Sequence, residues 1–341
     1  MSKKSLNVSL DNKLENNKDI LKVYLPFEKK LKIIGKKLIT IAISGGPDSL
    51  ALAALSKFYS KENKTRFFYV LVDHGLRKNS SIEAIKVKKI LKKIKIKLFI
   101  LTNKVKISSN IQSNARDIRY KMLSEFCKKK NIRAILTAHN LEDQVETFFI
   151  RLSRGSGLNG LSAMQNSTKI DKNLRLYRPL LDTKKRELIM IAKKVFGEFI
   201  RDPSNNNLKF LRTKIRKLKK PLINSGITYD QIIKSINNLA SSKATLESFM
   251  AKKSKEMIKI KKKNQVYIDL KKLNNSKDEV KIRVINDAMK KLKKNYYNSR
   301  SKKVLNLTKN FKDKHFKKAT LGGCIFEREQ EQLSIKNEKK R

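Results

Sequence analysis

The chain has 341 residues, enough for about two domains with real cores, and its 82 Lys and Arg against 30 Asp and Glu give a formal net charge of +52. That excess fits a nucleic-acid partner better than a small acidic substrate, although an A/T-biased coding sequence would also enrich lysine. The two cysteines, Cys127 and Cys324, form no C-x-x-C pair for zinc or iron–sulfur, and no apolar run reaches the ~18 residues of a membrane span.

Residues 1–36 are polar and charged, with one amphipathic piece around Leu21–Leu31, and are expected to be a loose lead-in. From Lys37 apolar runs alternate with helical patterns. Strands are predicted at 38–43, 67–73, 97–101 and 134–137, with helices after the first strand and over 81–94, 112–130 and 141–151. Such alternation predicts an α/β fold, a doubly wound and mostly parallel sheet whose ligands sit at the carboxyl ends of the strands. Gly155, Gly157 and Gly160 mark a loop, and a helix is predicted over 183–195. Asp202-Pro203-Ser204-Asn205 is turn chemistry before a basic helix that Pro221 is expected to end. Beyond Ile227 the pattern changes to lysine-rich helices, broadly 229–261, then a strand at 265–270 and a β-segment around Leu321–Cys324. The expected division is a catalytic domain at 37–222 and a smaller, basic, mainly helical domain at 229–341.

Ser44-Gly45-Gly46-Pro47-Asp48-Ser49 joins the first strand to the next helix. Backbone N–H groups converge on a phosphate in that context, glycines permit close approach, and serine hydroxyls add donors. No Gly-Lys-Ser/Thr follows, so this is not a Walker loop. A loop without that lysine suits a pyrophosphate that departs whole, hence ATP cleaved to AMP and pyrophosphate. An ordinary strand–turn–helix corner with a serine cap is the plainer alternative.

Val72-Asp73-His74-Gly75-Leu76-Arg77, at the end of the second strand, borders the same cleft, where Asp73 or a neighbouring group would meet the nucleotide. On a helix running through residues 139–147, His139, Asp143 and Glu146 would share an arc of about 60°. Carboxylates there suit Mg²⁺ or a proton from an attacking amine, although acids at a helix start are common without function. Arg116, Arg119 and Tyr120 share a face apt for phosphate and base contacts, or for plain solvation. Arg212 and Arg216, one turn apart, read the same way.

Together, SGGPDSLAL (44–52), VDHGLR (72–77), ARDIRY (115–120), TAHNLEDQVETFFIRLSRGSGLNGLSAM (137–164), RPLL (178–181) and RDPSNNN (201–207) closely resemble the tRNA(Ile)-lysidine synthetases, members of the PP-loop ATP-pyrophosphatase superfamily. One departure is Glu142, where the family usually has aspartate. The resemblance implies ATP-dependent adenylation of O2 of the wobble cytidine in a CAU-anticodon isoleucine tRNA. Free L-lysine then attacks C2 and expels AMP.

It further implies that Ser44, Gly45, Gly46, Pro47, Asp48 and Ser49 cradle pyrophosphate, with Asp73 and His74 also at the nucleotide. Asp48 and Asp143 are candidate Mg²⁺ ligands, and Asp143 and Glu146 would serve the metal or the amine. His139 and Arg116 would support the adenylate, and Arg119, Tyr120, Arg212 and Arg216 would meet phosphate or tRNA. The basic region after 228 would grip the tRNA. Longer members carry a further carboxyl-terminal domain, so a shortened form is expected, in the cytoplasm. A cytidine-thiolating relative would need clustered cysteines, amide-forming relatives fit the later blocks poorly, and a non-catalytic RNA-binding protein would not need an intact loop.

Overall fold

The computed structural model describes residues 17–75, 79–103, 105, 111–200, 211–262, 264–293, 299–313 and 315–338. The expected turn at 202–205 and the Leu76-Arg77 end of the second motif lie outside them. Two compact units emerge, Met1–Leu239 and Ala240–Arg341.

The first unit begins with α1 (Lys18–Ile34), capped by the Asn17 side chain, which accepts from the Ile20 N–H, and closed by Gly35 at φ +58°. Ile20, Val23, Tyr24, Phe27 and Leu31 recur at helical spacing and are buried in the core. The expectation of a loose lead-in is therefore corrected from Lys18 onward: the lysines on the outer face disguise an apolar stripe. Next come β1 (Leu38–Ile43), α2 (Pro47–Glu62), β2 (Arg66–Asp73), α3 (Ser80–Lys92), β3 (Leu98–Thr102), α4 (Ile111–Lys129), β4 (Ala134–Leu136) and α5 (Leu141–Leu152). The short α6 (Leu158–Leu161) leads into a hairpin the sequence reading did not expect, β5 (Ser167–Asp171) and β6 (Leu174–Tyr177). Then follow α7 (Lys185–Phe196), α8 (Leu211–Lys217) and α9 (Lys219–Asn224). Pro221 does not end a helix; it sits in the first turn of α9, where its missing N–H leaves no intrahelical bond unmade.

The sheet order is β3-β2-β1-β4-β6-β5, parallel except for the edge strand β5. The doubly wound fold is thus as expected. Strand order reverses between β1 and β4, and the crevice beyond their carboxyl ends is where such sheets bind ligands. The chain leaves β1 at Ser44 and β4 at Thr137, so the first and third motifs meet there. Leu50 through Leu55 of α2 are fully buried, since α2 packs on both the sheet and α7. That explains its apolar run without a polar face and fixes the loop ahead of it.

The helix α10 (Tyr229–Met257) starts in the first unit, with Tyr229, Ile232 and Ile236 packed on Leu141 and Val145 of α5. That packing draws residues beyond 222 into the catalytic unit. The second unit holds β7 (Ile258–Lys262), β8 (Gln265–Asp269), α11 (Leu270–Asn274), α12 (Asp278–Leu292), α13 (Ser301–Asn310), β9 (Lys318–Leu321), β10 (Cys324–Glu329) and β11 (Gln332–Asn337). Its strands form an antiparallel sheet in the order β7-β8-β11-β10-β9. It is helical as expected, with more sheet than one terminal segment; Gly322 and Gly323 are the turn between β9 and β10. Among the described residues no helix is long and apolar enough to cross a membrane.

Candidate active site

The loop after β1 is organised by one hydroxyl. Ser49 Oγ accepts from the N–H groups of Ser44 at 3.2 Å and Gly45 at 3.1 Å and donates to the Gly46 carbonyl at 3.0 Å. The Ser44 hydroxyl lies 3.2 Å from it. Gly45 has φ +83°, and a Cβ there would fall 2.4 Å from Val87 Cγ2, so glycine is required on both counts. Its carbonyl accepts from the Ile200 N–H at 3.0 Å, which ties the loop to the chain beyond α7. Gly46 caps α2 without a side chain and Pro47 opens the helix. The first-turn N–H groups and the positive end of a helix of 16 residues therefore face the crevice.

Asp48 sits in that first turn, and its Oδ1 is buried without a hydrogen-bond partner among the described residues. Desolvation pushes its carboxyl up to about 6; Lys185 pulls the other way, while Asp143 and Glu142 add repulsion. A buried, unpartnered carboxylate oxygen beside further acids is the donor chemistry a hard divalent cation takes. Among the described residues no three His, Cys, Asp or Glu side chains gather as a closed metal cage. Mg²⁺ shared with phosphates and water needs only one or two carboxylates, so Asp48 fits that role.

His139 does not lie on the helix with Asp143 and Glu146, contrary to the expected arc. Asn140 is the N-cap of α5, and His139 lies in the turn from β4, its Nδ1 2.8 Å from Thr137 Oγ1. Burial lowers its pKa to about 4 against the pull of Asp143, with Arg178, Arg116 and Arg212 also disfavouring the cation. The ring is neutral at working pH. Asp143 forms a reciprocal capping box with Asn140: its N–H donates to Asn140 Oδ1 at 3.0 Å and its Oδ2 accepts from the Asn140 N–H at 3.2 Å. Only one of its oxygens is so occupied. Glu142 accepts the Lys185 N–H at 2.8 Å and approaches Lys219 at 3.5 Å, so its longer side chain joins the start of α5 to the start of α7.

Glu146 is held differently from expectation. It is buried, Arg216 Nε donates to its Oε1 at 2.6 Å, and Arg212 Nε lies 2.9 Å from Oε2 at an angle too poor for a hydrogen bond. Both oxygens face guanidinium groups, so in this structure Glu146 positions Arg212 and Arg216. Burial pushes its carboxyl above the usual range despite both arginines.

Asp73 is buried at the end of β2, where its carboxylate accepts from the Gly75 N–H at 3.0 Å and from Ser81 Oγ at 2.8 Å. Burial opposes its charge, yet those bonds, with Ser80, hold its pKa below the ordinary value. Its carboxylate thus shapes the turn that follows β2. His74 Nε2 accepts from Arg119 Nε at 3.2 Å, so its buried Nδ1, without a partner among the described residues, carries the proton. Arg116 stacks on the Tyr120 ring at 5.0 Å. The second and fourth motifs therefore form one basic, aromatic cluster.

The sequence reading missed the residues that brace these groups. Gln144 clasps the Met164 main chain on both sides, at 2.8 and 2.7 Å. Arg151 Nη1 donates to the carbonyls of Gly160 and Ala163, at 2.7 Å each, closing the glycine loop. Buried Arg178 donates to the Gln165 carbonyl and Thr168 Oγ1.

Residues 15–222 match the PP-loop domain family. A tRNA(Ile)-lysidine synthase of Wolbachia pipientis wMel is 31% identical over 307 residues, which cover 89% of this chain and 71% of that protein. The chain belongs to the tRNA(Ile)-lysidine synthase family. Another synthase, from Zymomonas mobilis, is 38% identical over 234 residues, covering 67% of this chain and 69% of the relative. Among solved structures, the U34-tRNA thiolase NcsA from Methanococcus maripaludis superposes with a TM-score of 0.54 at 20% identity, over 65% of this chain and 79% of that one. That likeness reports the fold. The synthase family and the PP-loop it carries make this an ATP-using enzyme of tRNA modification.

Proposed function

We propose that this synthase joins L-lysine to C2 of the wobble cytidine in a CAU-anticodon isoleucine tRNA. O2 of the cytosine attacks the α-phosphorus of ATP, the Pα–O bond to the β-phosphate breaks, and pyrophosphate leaves with the electron pair. The lysine ε-amine then attacks C2, loses a proton, and AMP departs with the C2 oxygen. An anticodon base is already single-stranded, so drawing it into the crevice costs little.

The observation that carries this reading is the Ser49-organised loop at the β1/β4 switch point, without a Walker lysine, in a chain whose relatives are lysidine synthases. Its free N–H groups and the Ser44 hydroxyl suit the pyrophosphate. Asp48 would hold Mg²⁺ against the triphosphate, with the open oxygen of Asp143 at hand; the ion would neutralise phosphate charge. Neutral His139 and the Arg116–Tyr120 pair suit the adenylate and the base. An ammonium with pKa about 10.4 is not nucleophilic, so a carboxylate must take its proton, a part Asp143 can play where its open oxygen is not on the ion. The basic second unit suits the tRNA backbone.

The thiolation reading requires clustered cysteines, whereas Cys127 is buried against Thr40 and Cys324 lies in the core of the second unit. The test is to follow AMP and tRNA nucleosides with ATP, lysine and CAU-anticodon tRNA present, then with each omitted. A lysine adduct on cytidine and AMP only in the full mixture support the reading; AMP without lysine, or no adduct, overturns it.

A further inference from the structure

We infer that Arg178 anchors a small substrate oxyanion, a carboxylate or a phosphoryl group, beside His139 at the carboxyl ends of β4 and β6. This rests on the reading of the crevice as the place where ATP and lysine meet. Arg178 follows β6 directly. The ladder to β4 pairs Ile135 with Leu176 and Leu136 with Tyr177, and it continues one step through the Thr137 N–H, which donates to the Tyr177 carbonyl at 3.0 Å. Ile135 and Leu176 lie on the α4 face, in the cluster against which Tyr120 packs, whereas Leu136 and Tyr177 belong to the core on the other face. Alternation therefore turns Thr137 and Arg178 toward α4. On that side Thr137 Oγ1 meets His139, and Arg116 stacks on Tyr120.

Among the described residues Arg178 is the one buried lysine or arginine, only 6% exposed. Its guanidinium is held at one corner, where Nη1 donates to the Gln165 carbonyl at 2.8 Å and to Thr168 Oγ1 at 2.9 Å, both neutral acceptors. Nε is buried without a partner, and no carboxylate pairs with Arg178 among the described residues. Arg212 and Arg216, by contrast, share Glu146. A buried cation that faces only neutral acceptors is costly unless an anion completes it. So little of the side chain is open that a small ligand fits better than a polynucleotide backbone. A planar, permanently charged fork suits both the α-carboxylate of lysine and the phosphoryl group of the adenylate. With Nη1 pinned to the β5–β6 hairpin, the guanidinium plane is set before either arrives.

The experiment compares wild type, Arg178→Gln, Arg178→Lys and Thr168→Val, the last removing one hairpin bond from an exposed side chain. Calorimetric titrations set AMP against adenosine, and L-lysine against pentane-1,5-diamine, which is lysine without its carboxylate. Arg178→Gln is expected to weaken AMP or lysine at least about tenfold, while adenosine and the diamine bind as to wild type. A loss with lysine identifies the carboxylate, and a loss with AMP the phosphoryl group. Arg178→Lys keeps the charge without the fork and is expected to fall between wild type and Arg178→Gln; it carries the test if the glutamine variant does not fold. Thr168→Val is expected to lower the melting temperature slightly and to leave all four titrations unchanged. Wild-type affinities for AMP and lysine in both Arg178 variants would overturn the inference. So would an equal loss of adenosine or diamine, or the same losses in Thr168→Val, since either reduces Arg178 to a brace for the hairpin. No tRNA or turnover enters the titrations, so their outcome stands apart from whether lysidine is the product.

Discussion

Arg216 Nε and Glu146 Oε1 stand 2.6 Å apart, joining α8 to the middle of α5 through a carboxylate that is itself buried. Glu146→Gln leaves the same shape but removes the charge that two guanidinium groups face. Breaking one side of such a pair is more damaging than replacing both, so a loss of about 2 kcal/mol is expected, less than for a fully buried pair because the arginines are partly exposed. Removing both, as Glu146→Gln with Arg216→Gln, should recover part of the stability and none of the activity. Urea melts of the two single variants and of the double variant decide it: losses that simply add would mean the ion pair has no coupling.

Asp48 is expected to trade stability for activity. Its pKa rises from 3.8 to about 6 in the ligand-free fold, so the ionised form is disfavoured by folding. The penalty is absent below the unfolded pKa, grows between the two values and is full above the folded one. Asp48→Asn should therefore stabilise the ligand-free protein by roughly 1–2 kcal/mol at pH 7.5, with the gain fading toward pH 4. Pyrophosphate release should fall by at least about 100-fold. Melting in EDTA across that pH range checks the sign; a destabilised variant at pH 7.5 would contradict it.

The Ser49 hydroxyl serves three main-chain groups, so Ser49→Ala leaves two N–H groups and a carbonyl to reorganise. A stability loss of about 1–2 kcal/mol is expected, with a larger effect on ATP use, because the loop loses its shape before any ligand arrives. Gly45→Ala should be worse, meeting both the left-handed backbone and Val87. Steady-state kinetics that show Ser49→Ala with unaltered KM and kcat for ATP would refute the organising role.

Local pattern revealed β1 to β4 but neither their order in the sheet nor the β5–β6 hairpin, because a continuous apolar run and a glycine turn dictate β1, the loop and α2 with no distant information. The site was less legible where partners come from afar. Glu146 looked like a reacting acid because it shares a helical face with Asp143, and nothing local shows that Arg212 and Arg216 arrive some 70 positions later to neutralise it. Asp143 carried a readable capping signature, Asn140 followed by an acid three residues on. The α1 stripe was hidden by composition: lysines on its outer face made a core helix resemble a tail.

The three histidines, His74, His139 and His315, make the electrostatics of the site directly observable. Burial holds His139 to a pKa of about 4 and also lowers that of His74. The neutral ring is the form folding favours, so His139 contributes stability that is full above the unfolded value near 6.5 and is lost as pH falls toward about 4. Asp143 raises the His139 pKa, opposing Arg178, Arg116 and Arg212. Asp143→Asn should therefore push the midpoint lower still, whereas Arg116→Gln should move it up. Imidazole carbon-proton shifts followed by NMR from pH 8 down to about 3 would read the direction of both moves; a His139 midpoint near 6.5 in the wild type, or an upward move in Asp143→Asn, would show that the ring is solvated and not a neutral partner of Thr137.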